Sequence, residues 1–166
     1  MSMSDIERTT GIRKLELPEK VKAFLVTLEC PDGMRYLFQE PYYFYSRGAP
    51  EDPGHWPELA GRALLPLWEH SERVFAADVG ASPTEYISFP LENPNEYDSY
   101  GVSVMKAIFH MLELHVWEYG GGEQEVLESE ILAGRLEFPN LSELGNMLAE
   151  PMCSQERIDR YIEQLV

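Results

Sequence analysis

The stretch that decides the fold is Val74-Phe75-Ala76-Ala77-Asp78-Val79, then Gly80-Ala81-Ser82-Pro83-Thr84, then Glu85-Tyr86-Ile87-Ser88-Phe89-Pro90-Leu91. Two short runs rich in β-branched and aromatic residues, joined by a Gly/Ser/Pro turn, predict a β-hairpin over Val74–Val79 and Glu85–Leu91. In the second run Ile87, Phe89 and Leu91 alternate onto one face, while Ser88 and Glu92 point away from it. A polar Asn/Pro-containing loop, Glu92 to Val102, leads from the hairpin into the longest helical pattern of the chain.

That pattern runs from Val104 to Tyr119, with Ser103 as the expected N-cap and Gly120-Gly121-Gly122 as terminator. At 100° per residue only Lys106, His110, Glu113 and Trp117 share a narrow polar stripe, so the helix is expected to be buried over most of its circumference. A weaker helical pattern covers Glu123 to Ala133. Asn140, with Glu143 three positions on, has the spacing of a capping box and opens a helix to about Ala149. After Pro151, Ser154 starts a final helix whose Ile158, Tyr161, Ile162 and Leu165 share a face.

On the other side of the hairpin, Val21, Phe24, Leu25 and Leu28 form one apolar stripe, giving a helix from Pro18 to Leu28 that ends at Pro31-Asp32-Gly33. Arg35–Gln39 and Tyr42–Ser46 are aromatic-rich and predict strands, separated by Pro41. Arg47–Gly61 holds three Pro and three Gly and is expected to be a long irregular loop. Strands in the middle with helices at both ends indicate an α+β fold around a mostly antiparallel sheet, organised as a single domain over 1–166. The C-terminal helix, about 154–165, is expected to pack on a core spanning about 17–148.

Composition narrows the function classes. With 166 residues, 44% of them hydrophobic, the chain is long enough to bury a proper core. It carries 29 acidic against 13 basic side chains, a net −16. Clustered cations for a phosphate backbone are missing, and an anionic membrane surface would repel such a chain. No apolar run approaches the roughly 18 residues of a membrane helix. Met1 to Ile12 carries Asp5 and Glu7 without a hydrophobic segment, so it does not read as a signal peptide. Cys30 and Cys153 form no CxxC pair and are expected to be free thiols in a reducing cytoplasm. The charge is uneven along the chain: residues 1–73 sum to −3 and residues 74–166 to −13. Such asymmetry points to a partner of opposite sign or to a solvated, solubilising face.

Local chemistry is sparse. His110 and His115 lie about 140° apart on their helix and cannot jointly grip a metal as an i, i+4 pair would. His115 is expected to be a core residue bonded to a backbone carbonyl, His110 a surface residue, and His55 has no sequence-local partner. Glu69, His70 and Glu72 would support acid–base or metal chemistry only if folding gathered them with Asp78. Gly101-Val102-Ser103-Val104-Met105 lacks the final glycine of a nucleophile elbow. There is no phosphate-binding glycine loop, and neither cysteine has a local activating base. The expectation is a non-catalytic chain with no cofactor and no metal.

A binding surface is better supported. Glu92, Glu96 and Asp98 alternate with Asn93, Asn95, Tyr97 and Tyr100 in the loop after the hairpin, and Glu118, Glu123, Glu125, Glu128 and Glu130 follow around the end of the long helix. Aromatics beside charge are hot-spot material within an electrostatic rim. Trp117 is either an anchor for a partner or buried beneath the C-terminal helices.

The order of segments resembles the SUKH superfamily, known as immunity proteins of bacterial toxin systems. Leu17-Pro18-Glu19-Lys20-Val21-Lys22-Ala23-Phe24-Leu25 is similar to its opening helix, and Leu64-Leu65-Pro66-Leu67 to its "L-x-P-hydrophobic" strand. Val74–Asp78 resembles the next strand, Glu85–Phe89 its hairpin partner, and Ser103–Leu112 the later helix. The likeness covers roughly Leu17 to Leu148. It departs where Pro31-Asp32-Gly33 replaces a glycine pair, and where Glu69-His70-Ser71-Glu72 replaces a Gly/Asp-rich turn. The resemblance implies a cytoplasmic module that binds and neutralises a toxin, often a nuclease, by protein–protein contact. The rival expectations are a small-ligand-binding protein or hydrolase with a pocket near Glu69, His70 and Asp78, and a regulatory scaffold without a toxin partner.

Overall fold

The fold is α+β, and the computed structural model describes residues 3–46, 59, 61–119 and 121–166. The chain gathers into two compact units. The first takes in Met1–Glu29 and Phe38–Val102, the second Cys30–Leu37 and Ser103–Val166.

The first unit is built on the expected hairpin. Strand β1 is Leu64–His70, β2 Arg73–Asp78, β3 Glu85–Pro90 and β4 Asp98–Ser99, in the antiparallel order β1-β2-β3-β4. In the β2–β3 pair Val74 faces Phe89, Ala76 faces Ile87 and Asp78 faces Glu85. One face buries Val74, Ala76, Ile87 and Phe89 with Leu91, Phe44 and Leu59. The other is not solvated either: Trp68 stacks on Phe75 at 4.7 Å and meets Phe38, which meets Phe24 edge-on. Ser88 points away from the apolar face as its alternation requires, yet it is fully buried.

Among the described residues three helices complete this unit. Helix α1, Met3–Arg13, was not anticipated from its polar sequence. Its buried Arg8 donates to the Leu25, Val26 and Leu67 carbonyls, tying α1 to β1 and to helix α2, Glu19–Thr27. Two expected strands fail. Tyr42–Ser46 is a short helix, α3, because the Glu69 carboxylate accepts the Tyr43 and Phe44 amides at 3.2 and 2.7 Å and satisfies its first turn. Arg35–Gln39 runs through turns, and only Gln39 makes a β-type bridge, to Glu69. Of the expected loop Arg47–Gly61, residues 47–58 and 60 lie outside the described residues; Leu59 is buried in the core.

The second unit is helical. Helix α4, Val104–Glu113, passes into a π-helical turn, Leu114–Glu118, so the single α-helix expected to Tyr119 widens where the Tyr119 amide reaches back to the Leu114 carbonyl. Lys106, His110, Glu113 and Trp117 are half-buried amid buried neighbours, as their stripe predicts. Ser103 occupies the N-cap but its hydroxyl makes no capping bond and has no hydrogen-bond partner in its buried place. Helices α5, Glu123–Arg135, α6, Leu141–Ala149, and α7, Gln155–Ile162, follow. The expected capping box at α6 does not form. Asn140 sits in the left-handed region (φ 47°) with its amide on Gln164, while Glu143 binds Arg157. Arg157 also binds Glu150, fastening α7 to α6, and the Ser154 hydroxyl caps α7 as predicted. Tyr161 packs on Phe109 and, with Ile158 and Leu165, buries the face expected of the C-terminal helix.

Candidate functional site

The loop between β3 and β4 has almost no regular structure, yet it is pinned along its length. The Leu91 amide donates to the Glu72 carbonyl at its start, and the Glu96 amide closes a turn onto the Asn93 carbonyl. At its end Tyr86 exchanges backbone bonds with Tyr100 and Gly101. Two arginines hold what lies between. Arg73 donates to the Ser88 hydroxyl and carbonyl, the Glu96 carbonyl and the Asp98 carboxylate. Arg62 binds Asp78 and Glu85 at 3.2 and 3.3 Å and lies 5.0 Å from the centre of the Tyr97 ring. The Ser99 hydroxyl donates to Glu85 at 2.7 Å; that bond, together with Arg62, holds the Glu85 carboxyl below its usual range.

This construction sorts the candidate residues. Glu92, Glu96, Tyr97 and Asp98 are all exposed. Asp98 is committed to Arg73, whereas Glu92 and Glu96 have no ion-pair partner among the described residues and present bare carboxylates on either side of Asn93 and Asn95. Tyr100 is half-buried with its hydroxyl on Ser88, so it supports the loop from beneath.

The remaining candidates belong to the second unit and are less uniform. Glu118 and Glu123 are exposed. Glu125 turns back to accept the Gly122 amide at 3.1 Å, closing the first turn of α5. Trp117 is half-buried and donates its indole N–H to the Leu148 carbonyl at 3.2 Å, so its ring is held against α6 while part of it stays at the surface. Glu128 corrects the sequence expectation outright. It is buried, accepting the Gly33 amide at 3.0 Å through one oxygen and facing His115 Nε2 at 3.4 Å with the other. It cannot meet a partner.

His115 is a core residue as expected, but its partners are side chains, not a backbone carbonyl. The Tyr36 hydroxyl lies 2.8 Å from its Nδ1 and the Glu128 carboxylate 3.4 Å from its Nε2. This Tyr36–His115–Glu128–Gly33 chain fastens the 30–37 segment to α5. Its members are scattered through the sequence, and no local spacing announces it.

The Glu69–Asp78 group does not converge. Glu69 pairs with Val74 and Asp78 with Leu64, at opposite ends of the β1–β2 ribbon. Glu69 is occupied by the start of α3, and Asp78 by the Ala63 and Gly80 amides and Arg62. Glu72 forms the β1–β2 turn with Ser71, both at positive φ. Those are structural roles for three of the four. Among the described residues no group of three or more His, Cys, Asp or Glu is placed to hold a metal, and His55 lies outside them. Both cysteines are free thiols, and burial pushes Cys30 up to about 11, away from a reactive thiolate at neutral pH. No described helix is long and apolar enough to cross a membrane.

The charge also distributes differently in space than along the chain. The first unit holds 16 acidic and 8 basic side chains and the second 13 and 5, so each bears −8. The run after Val74 is split between them. Comparison with family models, curated proteins and solved structures returns no match.

Proposed function

We propose that this chain is a non-catalytic, immunity-type binding module that neutralises a basic, nuclease-type toxin by covering its cationic surface. The observation that carries the reading is the β3–β4 loop: Glu92, Glu96 and Tyr97 are exposed, and the segment bearing them is held in one shape by Arg73 and Arg62. Preorganisation of this kind removes ordering entropy from association. Bare carboxylates occupy the positions where a nuclease expects phosphate and accelerate encounter with it. The half-exposed Tyr97 ring, steadied by Arg62, supplies contact area at low conformational cost. The resemblance of Leu17–Leu25, Leu64–Leu67 and Val74–Phe89 to the SUKH immunity proteins supports the same reading.

The test is capture from the source cell at low salt, repeated at about 0.5 M salt, where surface charge is screened within a few ångströms. A stoichiometric basic protein, toxic when expressed alone and lost at high salt, is the expected outcome. Capture of an acidic protein, or capture indifferent to salt, would count against the proposal.

A further inference from the structure

The second unit contains an apolar groove of about 370 Å³ that none of the roles above uses. Its floor is Val126 and Leu127 of α5, Leu148 of α6 and Trp117 of the π-turn. The Trp117–Leu148 hydrogen bond fixes the indole there. Leu127 is half exposed, so part of this apolar surface faces water. Glu123 and Glu130 stand on the rim, and no cation is among the described lining residues. Glu130 is not a trailing surface chain, because its carboxylate packs directly over Gly145 of α6, where a Cβ would have to displace it.

An acidic rim around an apolar floor selects its occupant. An anionic amphiphile is repelled by Glu123 and Glu130. A second copy of this chain would bring its own net −16. The positive end of α5 offers no counterweight, since Glu123 and Glu125 already meet it in the first turn. The volume suits one or two large aliphatic side chains.

We infer that this groove docks a cationic amphipathic peptide segment, its apolar side chain on Leu127 and Trp117 and its Lys or Arg on Glu123 and Glu130. The inference rests on the preceding reading only in taking the partner to be basic, and it supplies that partner with a second point of attachment.

The probe is a synthetic, end-capped Leu/Lys peptide with leucines at helical spacing, titrated into the full ¹⁵N-labelled chain and compared with the same peptide carrying Ser for Leu. Shifts should concentrate on the Trp117 indole N–H, Val126 and Leu127. Leu127→Ser, which removes a half-exposed side chain and spares the core, should weaken binding about tenfold. Glu123→Gln with Glu130→Gln should flatten its salt dependence, and the Ser peptide should bind at least about tenfold more weakly. Equal binding of the two peptides, shifts on residues 92–98 instead, or no binding at about millimolar peptide would overturn the groove. Such a failure leaves the toxin reading intact if Glu92 and Glu96 still govern capture. Groove binding without any basic partner from the cell would do the reverse.

Discussion

Arg73, at the start of β2, grips the Asp98 carboxylate in β4 and the Glu96 carbonyl beside it, so the cation that shapes the acidic loop sits beneath it. One consequence is unusual for an acidic surface. Removing Arg73 makes the region more negative while loosening the geometry that makes the charge useful. Arg73→Met should therefore weaken binding of a basic partner even though long-range attraction rises. Hydrogen bonds to charged groups contribute about 1.5–3 kcal/mol, so amide exchange at residues 96–99 should accelerate by one to two orders of magnitude. Unchanged exchange with unchanged affinity would show that the loop holds itself.

Arg8 is a buried cation whose nitrogens serve three backbone carbonyls on α2 and β1. Burial lowers its pKa, with Tyr45, Glu40 and Asp5 acting in the opposite sense. Arg8→Met leaves those carbonyls unserved, and urea unfolding of the first unit should show a loss of about 2–4 kcal/mol. A loss below about 0.5 kcal/mol would mean the carbonyls find other donors.

Glu113 provides a pH signature for the second unit. Burial first, then Asp159 and Glu118, raise its carboxyl to about 7 from 4.5. The folded state thus holds a proton that the unfolded state releases between those values, and stability falls as pH rises from about 4.5 through 7. Solvent screening of this half-buried group keeps the fall below the ~3 kcal/mol that the full shift would give. Urea midpoints for α4–α7 should drop between pH 5 and pH 8, and Glu113→Gln should remove most of the drop. An unaltered pH profile in that variant would reassign the effect.

Gly33 tests the buried Tyr36–His115–Glu128 chain. A Cβ on Gly33 would fall on the very carboxylate its amide serves, so Gly33→Ala should expel Glu128 and cost about 1–3 kcal/mol. Loss of the Tyr36–His115 hydrogen bond should follow, visible in the His115 ring resonances. A variant as stable as the parent would mean that the pair relocates freely.

The elements legible in the sequence are those whose signal is local. The β2–β3 hairpin, the stripe of Lys106, His110, Glu113 and Trp117, and the Ser154 cap all follow from spacing alone. Where the reading failed, the deciding partner was distant. Tyr42–Ser46 has strand composition, but Glu69, more than twenty residues on, caps it as a helix. Asn140 and Glu143 have capping-box spacing, yet Gln164 and Arg157 claim them. Pro66 lies inside the strand that the resemblance implies, and it is accommodated there on the edge strand at a bulge between Pro66 and Trp68. The candidate surface fared likewise. Charge and aromatic content marked residues 92–98, but nothing local showed that Arg73 and Arg62 organise them, or that Glu128 turns inward.

Two carboxylates on a fixed loop, Glu92 and Glu96, carry the proposed recognition, and the association rate of the captured partner is its plainest readout. Glu92→Lys with Glu96→Lys leaves Arg73, Asp98, Arg62 and Tyr97 in place. At low salt the double reversal should slow association about 10–100-fold, and the difference should shrink at about 0.5 M salt. Equal rates for parent and variant at low salt, with the fold intact, would contradict it.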